Sequence, residues 1–444
     1  MPLDRRTLIA GTGAAAFAIP AGAAPLSQHG LDASQFGVRP GAPDDQSARL
    51  QRAIDEAART RVPLALAPGV YRAGGLTLPA GAQILGVRAA TRIAFSRGPS
   101  LLSSTDGDAI TLAGLTFDGN MQPVAARGLV QLAGARDLRV SECAVVNAGG
   151  TALALENCTG TIDNSLIENA ADNGLFCRDN RDLSIRSNTI RRCGNGGIRI
   201  WQSEKRQDGS LVADNTIEEI AARDGGDGQN GNGINVFRAG GVLVRDNAIR
   251  ACAFTAVRGN AASNLQIQGN RCADLGEVAL YAEFEFDGAL IANNVIDGAA
   301  LGVSVTNFNR GGRLAIVQGN LIRNLKPKRP QGGSDSAGTG ISVEADTAVT
   351  GNVIERAPWM GIEVGAGRYL RDVAVTGNIV REATYGIGVS VVSGTGATSI
   401  TGNLVSGARL GALVGIEWGK VISTDLARDI ARYPQMTVAN NRIA

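Results

Sequence analysis

One histidine, His29, stands in 444 residues, ahead of every repeated segment that follows. That scarcity argues against a Ser–His–Asp triad, an imidazole-bound zinc or a histidine general base. Aromatic residues make up only 4% of the chain. Beyond the N-terminus, no continuous apolar run reaches membrane-spanning length. Neither sign of charge dominates, with 43 Lys and Arg against 41 Asp and Glu. Nucleic-acid binding usually requires a basic excess on one domain, and there is none. The six cysteines, at 143, 158, 177, 193, 252 and 272, form no CxxC and no metal-type spacing. They read as buried thiols within stacked strands, and no disulfide is expected.

Glycine, by contrast, is abundant: 59 residues, in a chain that is 44% apolar. That composition suits an elongated fold of short strands and tight turns, where glycine supplies positive φ. The first residues read as an address. "MPLDRRTLIAGTGAAAFAIPAGAAP" pairs Arg5 and Arg6, continues through an Ala/Gly-rich run and reaches an A-x-A cleavage site at Ala21–Ala23. The Arg pair followed by Thr7, Leu8 and Ile9 resembles a twin-arginine export signal. Residues 1–23 are therefore expected to be a cleaved signal, with a periplasmic or secreted mature protein and no membrane span left after removal.

The remaining chain repeats itself. "SNTIRRCGNGGIRIW", "DNAIRACAFTAVRG", "GNVIERAPWMGIEV" and "GNIVREATYGIGV" share an Asn two residues before an aliphatic, and a later alternating run. The anchors are Asn188, Asn215, Asn247, Asn270, Asn294, Asn320, Asn352, Asn378 and Asn403, spaced 23 to 32 residues apart. Looser copies at Cys143 and Ser165 precede them, and Asn441 closes the series. Such a period with variable insertions marks a stacked solenoid, and the alternation marks strands rather than helices. Three short runs per copy predict an all-β fold, a single right-handed parallel β-helix of about a dozen three-strand coils. Equivalent residues of successive coils would stack about 4.8 Å apart. The recurring Asn fits a turn, stacking amides between coils and tolerating left-handed backbone. Residues 24–62 are expected to hold a short capping helix, with Asp44, Asp45 or Ser47 at its N-cap and Leu50, Ile54 and Ala57 on one face. Residues 63–444 would form the solenoid, closed by a C-terminal cap in "STDLARDIARY".

"FGVRPGAPDD", the helix and "APGVY" resemble the start of pectate-lyase-like β-helix proteins. Together with the Arg pair and the coils, the chain is similar to the family of twin-arginine-translocated repeat proteins, which has no established activity. The resemblance implies fold and export; any reaction must be argued from a site. Enzymes of this architecture work on acidic polysaccharides along one outward strand column. The absence of a histidine within the coils departs from the polygalacturonase-like hydrolases among them.

Period-two alternation builds that column here. If Ile198, Ile234, Val257, Leu280, Val303, Ile341, Ile362 and Ile387 point inward, the outward column runs Arg199, Asn235, Arg258, Tyr281, Ser304, Ser342, Glu363, Gly388. Two residues on it runs Trp201, Phe237, Asn260, Glu283, Thr306, Glu344, and a third column holds Glu285 and Asp346. Trp201, Phe237 and Tyr281 are candidates for stacking on sugar rings, and arginines for gripping uronate carboxylates. Glu283 and Glu285, at i and i+2 on a strand, would stand roughly 6.5–7 Å apart, near the inverting-glycosidase spacing. Glu344 and Glu363 on adjacent coils form a second carboxylate pair. In a lyase, Arg199 or Arg258 would act as base. The long inserts "ARDGGDGQNGNG" and "KPKRPQGGSDSAGTG" could wall a groove with Asp224, Asp227, Lys326, Lys328 and Arg329. No cofactor is assigned; "DGGDGQNG" fails the calcium-loop spacing, which leaves Ca²⁺ open. Two functions stay open: a lyase or hydrolase acting on or binding acidic polysaccharide, and a non-catalytic binding or scaffold protein of the cell envelope.

Overall fold

The computed structural model describes residues 30–226, 228–308, 311–329 and 337–444. Residues 1–23, expected to be an export signal, lie outside these, as do His29 and Asp227. The chain winds into a right-handed parallel β-helix whose coils form three sheets of 16, 15 and 15 strands. Each coil contributes a strand to the first sheet, passes the Asn turn into the second, and ends in the third. There are more coils than the Asn count suggests, because the N-terminal ones carry no Asn. The solenoid also begins earlier than position 63: strand Leu31–Asp32 pairs in parallel with Leu64–Ala65.

The Asn series forms one continuous hydrogen-bonded ladder. Asn294 is typical: its Oδ1 accepts from the backbone N–H of Asn270 at 2.9 Å and from Asn270 Nδ2 at 3.0 Å. Its own Nδ2 donates to the Ile267 carbonyl at 3.0 Å and to Asn320 Oδ1 at 3.0 Å. The ladder runs unbroken from Asn188 to Asn441, with Ser165 taking the place of Asn in the coil before it. One amide per coil thereby satisfies the buried polar groups of a turn that water cannot reach. The left-handed conformation, however, belongs to the residue before each ladder Asn. Ser187, Asp214, Asp246 and Asn293 adopt φ near +55°, and glycines at 351, 377 and 402 take the same place at +64° to +66°. The Asn is selected for its amide, and the turn geometry is delegated to its neighbour.

Inside, aliphatics stack in register. Ile198, Ile234, Val257, Leu280, Val303, Ile341, Ile362 and Ile387 pair successively across the third sheet and are buried. The six cysteines are buried free thiols, and burial raises those of Cys143, Cys193 and Cys272 to about 12. The capping helix spans Ser47–Thr60 and buries Leu50, Ala53, Ile54 and Ala57 over the open end of the stack. Its N-cap is Gln46, whose side chain makes no cap bond. Asp45 instead accepts from the Ser47 backbone N–H at 3.1 Å and from its hydroxyl at 3.0 Å. At the far end a short helix, Leu426–Asp429, buries Leu426 with Asp425 as its N-cap. No described helix is long and apolar enough to cross a membrane.

Candidate functional site

Two columns read from the sequence lie on the third sheet: Arg199, Asn235, Arg258, Tyr281, Ser304, Ser342, Glu363 and Gly388 are successive partners, as are Trp201, Phe237, Asn260, Glu283 and Thr306, whereas Glu344 follows the end of strand Thr339–Val343 and Asp346 belongs to the first sheet. They are not a bare solvent-facing row. Arg199, Arg258 and Glu283 are each less than a tenth exposed. Three groupings follow along the face.

In the first, Phe176, Trp201 and Phe237 form an aromatic row, meeting edge to face with centroids 5.4 and 5.6 Å apart. Arg199 lies 5.3 Å from the Trp201 ring centre and donates from Nη2 to Asn230 Oδ1 at 2.6 Å. Burial lowers the pKa of its guanidinium, opposed by the charges of Asp172 and Asp224. Asp224 itself accepts from Asn195 Nδ2 at 2.6 Å, so the first long insert is fastened onto this coil.

The second is a closed ion network. Arg258 grips Glu283 with two nearly parallel bonds, Nε to Oε2 at 2.9 Å and Nη2 to Oε1 at 2.7 Å, and approaches Glu277 at 3.8 Å. Arg329 reaches Glu277 at 3.0 Å and Lys326 reaches Asp274 at 2.7 Å, so the second insert fastens itself here too. Lys328, by contrast, is exposed. Ion pairing with Glu283 outweighs burial and raises the already high pKa of Arg258. A guanidinium held this way is no proton acceptor, which speaks against Arg258 as a lyase base. The Tyr281 ring is covered by Arg258 at 4.9 Å, leaving that face unavailable to a sugar. The Glu283–Glu285 pairing does not form. The strand ends at Glu283, the chain turns through Phe284 and Glu285 at φ 44° and 51°, and Glu285 points into solvent.

The third grouping holds Glu344 and Glu363. Glu344 Oε2 accepts from the backbone N–H groups of Asn307 at 2.6 Å and Phe308 at 2.9 Å. Burial nevertheless raises its pKa from 4.5 to about 7, against those two donors and with Glu363 adding to the rise. Glu363 is raised by burial alone, and its Oε2 is enclosed without a hydrogen-bond partner. The repeat reading passed over two aromatic pairs on these coils, one of which reaches Glu344 through the backbone N–H of Phe308. Phe308 meets Tyr369 with ring centres 5.0 Å apart, and Trp359 meets Tyr385 at 5.2 Å. Trp359 and Tyr385 rest on Met360, Val414 and Ile416, a small apolar cluster separate from the main core. Among the described residues, no group of three or more His, Cys, Asp or Glu could hold a metal ion.

A family profile described as "right handed beta helix region" matches residues 100–228 and 205–371, more than half of the chain. The chain belongs to that family. No curated protein matches this family member's sequence. Among solved structures it is similar to pre-mature bacteriophage phi29 gene product 12, at 15% identity and a TM-score of 0.49, over 90% of this chain and 58% of that one. It is also similar to PfbA, a surface adhesin of Streptococcus pneumoniae, at 13% identity and 0.47, covering 89% and 94%. A third is the catalytic unit of a GH87 alpha-1,3-glucanase from Streptomyces thermodiastaticus, at 14% and 0.48, covering 94% and 68%. At such identities and scores, none of the three bears on what this β-helix binds or does.

Proposed function

We propose that the outer face of the third sheet binds a polysaccharide and that Glu344 and Glu363 form a hydrolase-like acid–base pair on it. The observation that supports this is the contrast between two neighbouring raised carboxyl groups. Glu344 has two backbone donors to stabilise its anion and titrates at about 7. Glu363 Oε2 has no donor, and burial alone raises the pKa of the group. Two carboxyls in unlike surroundings can divide the acid and base roles: Glu363, the one without a donor, protonates the leaving oxygen, and Glu344, once ionised, activates water. Phe308, Tyr369, Trp359 and Tyr385 supply ring surface beside them. A lyase acting on uronates is less well supported, since Arg258 is committed to Glu283 and Glu277. The test incubates the mature protein with neutral and uronate polysaccharides, following both reducing ends and unsaturated-product absorbance. Reducing ends that vanish in Glu363→Gln support the proposal; unsaturated product, or turnover unchanged by that substitution, sinks it.

The non-catalytic reading has its own observation: the Arg258 network is closed and the second insert is fastened to it through Arg329, as in a rigid scaffold. Glycan binding without any turnover would favour it. In either case we propose export through residues 1–23, on the strength of the paired arginines and the cleavage pattern.

A further inference from the structure

The third sheet ends in a hairpin. Strands Gly411–Glu417 and Lys420–Ser423 pair antiparallel with Glu417 opposite Lys420, so Trp418 and Gly419 alone make the turn. Both take left-handed backbone, at φ 47° and 79°, the combination of a type I′ turn. Asn suits the first of these positions, and a bulky side chain there is strained. The strained residue carries its indole outside the core. Trp418 is 63% exposed, more than any other large apolar side chain among the described residues.

A second backbone device seats the ring. Gly367 also has left-handed backbone, at φ 53°, and a Cβ built on it would collide with Trp418 Cζ3 and Cη2. The six-membered ring of the indole thus lies directly against the Gly367 backbone, an approach that only glycine permits. Gly367 opens the 3₁₀ turn Gly367–Tyr369, and Ser390 Oγ fastens it by donating to the Gly367 carbonyl at 2.7 Å. Two positions of unfavourable backbone, on separate coils, together fix an aromatic ring that stays mostly in water. So exposed a ring contributes little through burial, and strain kept without that return points to a role at the surface.

What surrounds the ring identifies its ligand. The turn against it continues to Tyr369, whose ring centre is 5.0 Å from that of Phe308, and the Phe308 N–H donates to Glu344 Oε2 at 2.9 Å. Gly367 follows Glu363 by four residues, which limits their separation to about 14 Å. Trp418 is therefore the outer member of an aromatic series that ends at Glu344. Its flank is charged: Glu417, Lys420 and Arg368 are all exposed. Charge is depleted around the aromatic anchors of a protein interface. A sugar ring instead offers its C–H face to an indole and its hydroxyls to charged groups at the rim.

We propose that Trp418 is a stacking platform for one pyranose ring of a glycan whose chain runs on toward Glu344 and Glu363. This rests on the reading of the third-sheet face as glycan-binding and deepens it, because a ligand reaching from the platform to the acids is an extended oligosaccharide.

The test uses the full chain carrying Glu344→Gln to stop turnover, with cellohexaose, xylohexaose, mannohexaose and hexagalacturonate as probes, followed by calorimetry and tryptophan fluorescence. At least one hexasaccharide should bind and shift the emission. Adding Trp418→Asn should weaken that binding at least about tenfold and remove the shift, while Trp201 and Trp359 remain in both chains. The thermal midpoint should hold or rise, because Asn suits the turn. Gly367→Ala should weaken binding likewise by displacing the ring; if it misfolds, Trp418→Asn still decides. Affinity unchanged by Trp418→Asn overturns the platform, and so does a thermal midpoint that falls with it, which marks a ring kept for stability. Binding of no hexasaccharide overturns the glycan reading and the platform with it. Turnover lost in Glu363→Gln with affinity untouched by Trp418→Asn would fell the platform alone. The converse result would fell the acid–base pair and leave the platform standing.

Discussion

Replacing Glu344 by Gln should stabilise the protein, and by an amount that depends on pH in a stated direction. Folding raises this carboxyl from 4.5 to about 7, so the folded state binds the proton more tightly than the unfolded chain does. An acid shifted upward contributes its stability in full below 4.5, and that contribution is lost as pH climbs through about 7. At 1.36 kcal/mol per unit, the loss at pH 8.5 amounts to about 3 kcal/mol. Glutamine keeps an oxygen to accept from the Asn307 and Phe308 N–H groups but cannot ionise, so it escapes the loss. Urea unfolding of both proteins at pH 4.5 and 8.5 measures it, because the titrating groups that do not interact with Glu344 cancel in the difference. The variant should be close to the parent at pH 4.5 and more stable by up to about 3 kcal/mol at pH 8.5. A gain equal at both pH values, or a loss at pH 8.5, would refute the assignment of a buried, upward-shifted acid. The same substitution should abolish turnover, so stability and activity move in opposite directions, as expected where a site carries destabilised groups.

Turnover itself should rise with pH through an apparent pKa of about 7 as Glu344 ionises, and Glu363→Gln should cost at least about 100-fold in kcat, both read from initial reducing-end rates. Asn294→Ala should remove the acceptor of Asn270 N–H and the donor to the Ile267 carbonyl. The cost in a denaturant titration is on the order of 2–4 kcal/mol, well above that of an exposed Asn→Ala such as Asn324. Arg258→Met should strand the Glu283 carboxylate in a buried site at about 3–5 kcal/mol, and adding Glu283→Leu should recover most of that loss.

What the chain discloses in its letters is what each coil must repeat. A ladder amide bonds the same amide one coil on, so Asn294 and its fellows recur. Core positions such as Ile341 and Ile362 had to alternate to stack. That made the fold and the outward columns legible, down to the register that places Arg258 beside Tyr281. The aromatic pairs around the acids were not legible, because Phe308, Tyr369 and Trp359 sit at strand ends and in turns, outside the alternating runs. The turn at Phe284 and Glu285 was hidden for a related reason: non-glycine residues there take left-handed backbone that no glycine announces. The spent charge of Arg258 was within reach of the sequence. Glu283 lies one coil on and two residues along, so opposite charges at that diagonal offset predict a pair before any groove is drawn. The same rule applied to Arg199 finds Phe237 at that offset, not an acid, and its compensation by Asp172 and Asp224 comes from outside the outward columns. A column of charges on a β-helix therefore marks a ligand site only where the register leaves a hydrogen-bonding group unmatched. On this face Glu363 is such a group, with one carboxylate oxygen enclosed and without a partner.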